Sequence, residues 1–393
     1  MPTAPRRILP IIVAAQFAST SLWFAVNAVM PDLQHALGLP PTAVGSLTSA
    51  VQLGFIAGTL VFALGSVADR HSPRLVFLLC AISGALFNAA PVLWPAGALD
   101  LPTLWLLRAL TGFALAGIYP VGMKIAAGWY PQGLGRALGW LIGALVLGTA
   151  TPHALRALGA HWPWQQVMLV VSGLAVLGGW MVWQWVPEST HLPRATRLQW
   201  RAFGRVLTDR RLRAPVFGYF GHMWELYTLW VLLPALLATR LQGAAISVGA
   251  FGVIAAGAVG CVAGGWLAQR HGSARVAAGQ LALSGLCCVL TPLAMAAPAA
   301  VFAAWLLVWG ISVAGDSPQF SALTATHAPR EAVGSVLTLV NCIGFSISIL
   351  SIQGFVALAQ HHDLSLLLPW LGLGPLLGLW GLRPLLVREG SSP

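Results

Sequence analysis

The chain has 393 residues, 58% of them hydrophobic and only 8% charged, with a formal net charge of +11. So little polar surface remains that a water-soluble domain is excluded, and the chain belongs in lipid. A basic excess of this size would suit nucleic acid if it were gathered on one face, but here it is spread over short loops between apolar runs.

Apolar runs of roughly 18 or more residues are read as membrane spans. Twelve follow one another, at 8–29, 43–67, 74–94, 103–127, 134–155 and 165–187, then at 214–238, 246–268, 276–296, 299–323, 333–358 and 366–386. The expected fold class is therefore an all-α integral membrane protein with six spans in residues 1–188, a basic linker at 189–213 and six spans in 214–393. The first apolar run is too long for the core of a cleaved signal peptide, so span one is expected to stay attached.

Span one carries Gln16, Thr20, Trp23 and Asn27 at spacings of four, three and four, which puts them on one stripe of a helix. Thr48, Gln52 and Thr59 form a similar stripe on span two, where hydroxyl and amide groups also serve as ordinary helix glue. Between spans two and three comes Gly65-Ser66-Val67-Ala68-Asp69-Arg70-His71-Ser72-Pro73-Arg74.

An ionised side chain near the bilayer centre costs about 2.5–3.5 kcal/mol, so each one kept there needs a partner, a wet cavity or a task. Span four holds Arg108 and Lys124, span five holds His153 near its outer end, span seven holds His222 and Glu225, and span ten holds Asp316. Five of these six recur on every third span, and span one extends the series. Spans one, four, seven and ten are thus expected to wall one polar cavity, with Asn27, Arg108, Tyr119, His222, Glu225 and Asp316 around the substrate.

Each group has a structural alternative. His222 and Glu225 share a helix face and are placed to exchange a proton, or they form a hydrogen-bonded structural pair. Asp316 is a substrate or proton site, or a salt-bridge partner of Lys124 or Arg330. Arg108 keeps its charge and suits an anionic substrate or a carboxylate that switches, whereas Lys124 lies near enough to the inner end to snorkel. Trp23, Trp224 and Tyr227 offer an aromatic solute faces to stack on.

A worn copy of the loop after span two returns 200 residues later as Gly265-Trp266-Leu267-Ala268-Gln269-Arg270-His271-Gly272. Gly112, Gly117, Pro120 and Pro131 also recur, each 198 positions on, as Gly310, Gly315, Pro318 and Pro329. The chain is read as two homologous halves.

Of the 21 Lys and Arg, Arg108 and Lys124 fall inside spans, Arg156 and Arg240 fall on one side, and the remaining 17, from Arg6 to Arg388, fall on the other. That bias puts both termini in the cytoplasm. The run Arg194 to Arg213 is a topogenic linker or a lipid-binding patch. Cys80, Cys261, Cys287, Cys288 and Cys342 all sit in spans without metal or redox spacing, and no cofactor motif is present.

The Gly65–Arg74 loop resembles the loop motif of the major facilitator superfamily, G-x-L-A-D-R-x-G-R-K, with Val67, Ser72 and Pro73 as departures. Arg108 with Gly112 is similar to that family's Arg-x-x-x-Gly element, often tied to proton coupling. The resemblance implies two six-helix bundles related by a twofold axis along the membrane normal. It also implies a gating role for Gly65, Asp69, Arg70 and Arg74, one-sided because Gln269 replaces the second aspartate.

Span five matches the family's antiporter pattern only in part, so no direction of flux is inferred. The expected function is secondary transport of a small solute by a monomer in a bacterial inner membrane, coupled to protons through Glu225 and Asp316. The alternatives are a proton-independent uniporter or exchanger of a small anion, or, more remotely, a membrane sensor or enzyme, which would need an output domain or a nucleophile and base that the chain lacks.

Overall fold

The computed structural model describes residues 5, 7–94, 98–130, 134–159, 162–189 and 199–386, so Arg6, Pro131, residues 190–198 with Arg194 and Arg197, and Arg388 lie outside the described residues. The described secondary structure is helical throughout. Among the described residues, nine helices are long and apolar enough to cross a membrane. In lipid the backbone must satisfy itself, and a helix does so within one segment.

In chain order the principal helices are α1 (Ile8–Thr20), α2 (Ala43–Gly65), α3 (Pro73–Leu93), α4 (Leu101–Leu115), α5 (Tyr119–Trp129), α6 (Leu134–Leu158), α7 (Trp164–Trp185), α8 (Arg210–Ala238), α9 (Ala244–His271), α10 (Ser273–Val289), α11 (Ala299–Gly315), α12 (Ser317–His327), α13 (Val333–Leu358) and α14 (Leu373–Leu386). The helices α4 and α5 run on as one span, as do α11 and α12.

Three of the twelve expected spans fall outside the nine, each for a local reason. Span one is interrupted after Thr20 by a turn at Ser21–Phe24 and resumes at Ala25–Ala28. Span nine breaks at Leu290 ahead of Pro292, since proline removes a backbone donor. Span seven is the unbroken α8, whose mean hydropathy is lowered by His222, Glu225 and Pro234.

Helices of the first half pack chiefly on one another, α2 on α4, α3 on α4 and α7, α1 on α6 and α7. Those of the second half repeat the pattern, α9 on α11, α8 on α13 and α14, α10 on α14. The halves meet along α6 against α9 and α2 against α13. By the repeat read from the sequence α6 corresponds to α13 and α2 to α9, so these two seams correspond to each other.

The recurring glycines sit where a side chain would meet close neighbours. A Cβ on Gly112 would lie 1.9 Å from the Val51 carbonyl oxygen, and one on Gly310 would lie 2.1 Å from that of Val253. A Cβ on Gly117 would meet Cys80 Sγ at 2.2 Å, and one on Gly315 would meet Gln280 Nε2 at 2.3 Å. At Gly112 and Gly310 only hydrogen fits against the facing backbone, whereas at Gly117 and Gly315 a Cβ would have to push a side chain aside.

Ser66 is the single described non-glycine residue with positive φ, at 48°, where the chain leaves α2. Two residues that depart from the loop motif start the next helix: Ser72 Oγ accepts the Leu75 N–H at 3.4 Å, and Pro73 occupies the first turn of α3. Their identity answers to helix initiation.

Candidate functional site

Two helix interruptions frame the centre of the molecule, and each receives a charged side chain from or at a break. The Arg108 guanidinium of α4 reaches the first. Its Nη2 donates to the carbonyls of Leu22 at 3.1 Å and Trp23 at 2.7 Å, inside the interrupted turn, while Nη1 donates to Asn88 Oδ1 at 3.0 Å. Asn88 Nδ2 in turn donates to Ser172 Oγ at 3.0 Å and the Met168 carbonyl at 3.2 Å. Arg108 is 1% exposed and, among the described residues, has no carboxylate at ion-pair distance, so carbonyl dipoles carry its charge.

The second interruption separates α11 from α12 at Asp316, just ahead of Pro318. There Asp316 Oδ1 lies 2.7 Å from Nδ1 of His222 on α8, and both side chains are buried to within 1%. The approach is off the line that a hydrogen bond prefers, so neither group is satisfied by the other. Tyr219 stacks beside the imidazole at 5.8 Å, and Phe320 tilts over it at 6.4 Å.

Next to this pair is a small cavity of about 40 Å³, room for a few waters at most. Its walls come from both halves: Trp23, Tyr119 and Leu145 from the first, and Tyr219, His222, Tyr227 and Asn341 from the second. An aromatic cluster closes one end, with Trp23 stacked on Tyr227 at 6.0 Å and on Phe345 at 5.5 Å, and Phe55 against Phe345 at 4.9 Å. The same seam carries two polar ties between α2 and α13, Gln52 Nε2 to Ser348 Oγ at 3.0 Å and Gln353 Nε2 to Ser49 Oγ at 2.7 Å.

Of the six expected cavity residues, Tyr119 and His222 line this space. Asp316 stands behind His222. Asn27 is buried, and its Nδ2 donates to Thr48 Oγ1 at 2.7 Å, tying span one to α2. Arg108 points into the first half and Glu225 into the second. Glu225 Oε1 accepts the Trp309 indole N–H at 2.6 Å and the Cys288 thiol at 3.3 Å, and Oε2 accepts the Ser284 hydroxyl at 2.9 Å.

His222 and Glu225 therefore share a helix but not a partner. Three residues apart on α8 they diverge by about 60° around the axis, enough to aim one at α12 and the other at α10 and α11. Asn88, Trp309 and Ser284, which hold Arg108 and Glu225, are absent from the sequence reading. A lone amide in span three was the only available signal.

The Gly65–Arg74 loop also closes within the first half. Asp69 pairs with Lys124 of α5, and Lys124 Nζ donates to the Ala68 carbonyl at 2.9 Å. Arg74 Nε donates to Glu188 Oε1 at 3.0 Å, and its guanidinium lies 5.2 Å from the Trp183 ring. Lys124 thus meets the loop, and Asp316 meets a histidine in place of either basic partner expected for it.

Residues 12–352 match the family model described as Major Facilitator Superfamily. The chain belongs to the major facilitator superfamily. It is 26% identical over 384 residues to a gallate transporter of Pseudomonas putida, covering 88% of this chain and 84% of that one. It is 29% identical to a probable transporter of Streptomyces coelicolor, covering 84% and 77%. Among solved structures, a human organic anion transporter superposes with a TM-score of 0.75 at 16% identity, covering 96% of this chain and 99% of the other. The xylose transporter XylE of E. coli, in a partially occluded inward-open state, gives 0.76 at 12% identity, with 98% of each chain covered. The chain is a multi-pass membrane protein with the fold of secondary transporters of small solutes.

Proposed function

We propose that the protein is a proton-coupled carrier working by alternating access, with the coupling group being the His222–Asp316 pair. Twelve spans form bundles 1–188 and 214–393 joined by a basic linker at 189–213, and both termini face the cytoplasm of a bacterium whose inner membrane holds the protein as a monomer. The central cavity is the closed substrate site. The observation that carries this is the position of His222, which faces the cavity on one side and a buried carboxylate at a helix break on the other. Substrate entering that space displaces the imidazole, and the pair's proton count is thereby tied to occupancy.

Glu225 already accepts three donors, which suits a fixed anion better than one that must change state. Arg108 is similarly committed to carbonyls and Asn88. We assign both to holding the walls, with Asn27, and leave Tyr119, His222 and Asp316 as the working set.

The walls are aromatic, from Trp23, Tyr119, Tyr219 and Tyr227, and favour a flat solute. A benzoate-like acid is the first candidate, in keeping with the gallate transporter among the relatives. The test is a proteoliposome assay with an internal pH dye, in which aromatic acids, gallate first, are added outside. A transported acid should bring protons with it at a fixed ratio. Solute flux that leaves internal pH unchanged, and is indifferent to an imposed pH gradient, overturns coupling and leaves an exchanger or uniporter.

A further inference from the structure

Away from the central cavity, a lateral groove runs along the junction of α1, α6 and α9. Its deeper part, about 500 Å³, is walled by Leu9, Val13 and Phe17 of α1, Trp140 and Leu147 of α6, and Val262 of α9, with hardly a polar atom among them. Small residues make the hollow: a Cβ on Gly143 would still stand 3.5 Å from the Ala258 carbonyl and from Val262. At Leu9 and Trp140 the groove opens into a second hollow of about 860 Å³, which ends at Gln269 and Arg270.

The groove is therefore apolar along its length and cationic at one mouth. From Leu9 to Phe17 is eight residues, about 12 Å of helix, close to the depth of one leaflet's hydrocarbon. Trp140 and Trp266, 42% and 60% exposed, stand beside the mouth, where indoles mark the level of lipid headgroups. Arg270 is exposed and, among the described residues, has no carboxylate at ion-pair distance.

We propose that this groove is a binding site for an anionic phospholipid, one acyl chain lying along Leu9, Val13 and Phe17 and the headgroup phosphate meeting Arg270. Charge and polarity both match such a molecule: a long apolar body, then an anion at the interface. A free inorganic anion has no use for the apolar part, and a solute of the central site has no reason to sit outside the seam. Because α1 and α6 belong to the first half of the chain and α9 to the second, the bound lipid bridges the halves. It stabilises the arrangement in which α6 and α9 are in contact.

The experiment is native mass spectrometry of the full chain released from neutral detergent, with phosphatidylglycerol or phosphatidylcholine of identical acyl chains added. The expected result is at least fivefold more retained phosphatidylglycerol than phosphatidylcholine, and a higher melting temperature with the former only. Arg270→Gln, at an exposed site that does not threaten folding, should bring the ratio to near one. Ala14→Trp, which fills the groove, should lower retention of both lipids. Equal retention by the unaltered chain overturns the proposal, as does an undiminished preference in Arg270→Gln. So does a dimer that disappears in Ala14→Trp, since a second copy of the chain would then be the occupant.

Discussion

Replacing Asp316 with asparagine keeps the shape of the side chain and deletes one charge facing His222. At 2.7 Å and an effective dielectric constant of about 20, two opposite unit charges attract by 332/(20 × 2.7), about 6 kcal/mol. Several kcal/mol of that is offset by stripping water from both groups. A net coupling of about 1–3 kcal/mol between adjacent buried groups is the usual remainder. It corresponds to about 5–150-fold in the pair's hold on a proton. Asp316→Asn is therefore expected to lower gradient-driven accumulation of a transported acid at least about fivefold in proteoliposomes. Counterflow of the same solute, which needs no net proton movement, should stay within about threefold. His222→Gln should behave alike, and the double variant should be no worse than either single one, because the two residues form one unit. If Asp316→Asn accumulates solute against its gradient as well as the parent does, the pair is structural and the proposed coupling fails.

Three further outcomes test the scaffold. Gly112→Ala and Gly310→Ala should each cost about 1–3 kcal/mol by forcing a carbonyl out of its seat, read as a fall in melting temperature in detergent. Unchanged melting in both would mean that the helices do not approach so closely. Ser66→Gly should raise stability by about 1 kcal/mol, since it removes a left-handed strain at φ 48°; a lower melting temperature would show that the loop relaxes elsewhere. Arg108→Lys should lose stability despite keeping its charge, because one ammonium does not span Asn88 and the carbonyls of Leu22 and Trp23. Equal melting of Arg108→Lys and the parent would remove the role given to the guanidinium.

Helix interruptions show where the sequence is legible and where it is silent. The breaks at 116–118 and at Asp316 follow Gly-x-x-Pro, Gly117 with Pro120 and Gly315 with Pro318, so local chemistry announces them. The break after Thr20 has no such mark, since Ser21-Leu22-Trp23-Phe24 contains neither glycine nor proline. It is made by tertiary contact, in which Arg108 takes the carbonyls of that turn. Polar stripes fared in the same way. Their faces were readable from helical spacing, and Gln52 of the span-two stripe does reach across the seam, to Ser348. The partners of Arg108 and Glu225 were not, because spacing fixes which way a residue leaves its own helix and says nothing of what the neighbouring helix presents.

The two halves share backbone contacts and differ in charge. At equivalent positions Arg108 faces Leu306 across the repeat, and Asp316 faces Ile118. Each half thus holds one charged group at a helix interruption, of opposite sign and in different company. In the first half the arginine has its hydrogen bonds to carbonyls and an amide, and no protonation change is available to it near neutral pH. In the second, the aspartate lies 2.7 Å from a histidine at poor alignment, and neither group is satisfied by the other. Under the coupling proposed above, the first half is the fixed side and the second the responsive one. The closed cavity lies between them, with Trp23 of the stitched turn on one wall and His222 on the other.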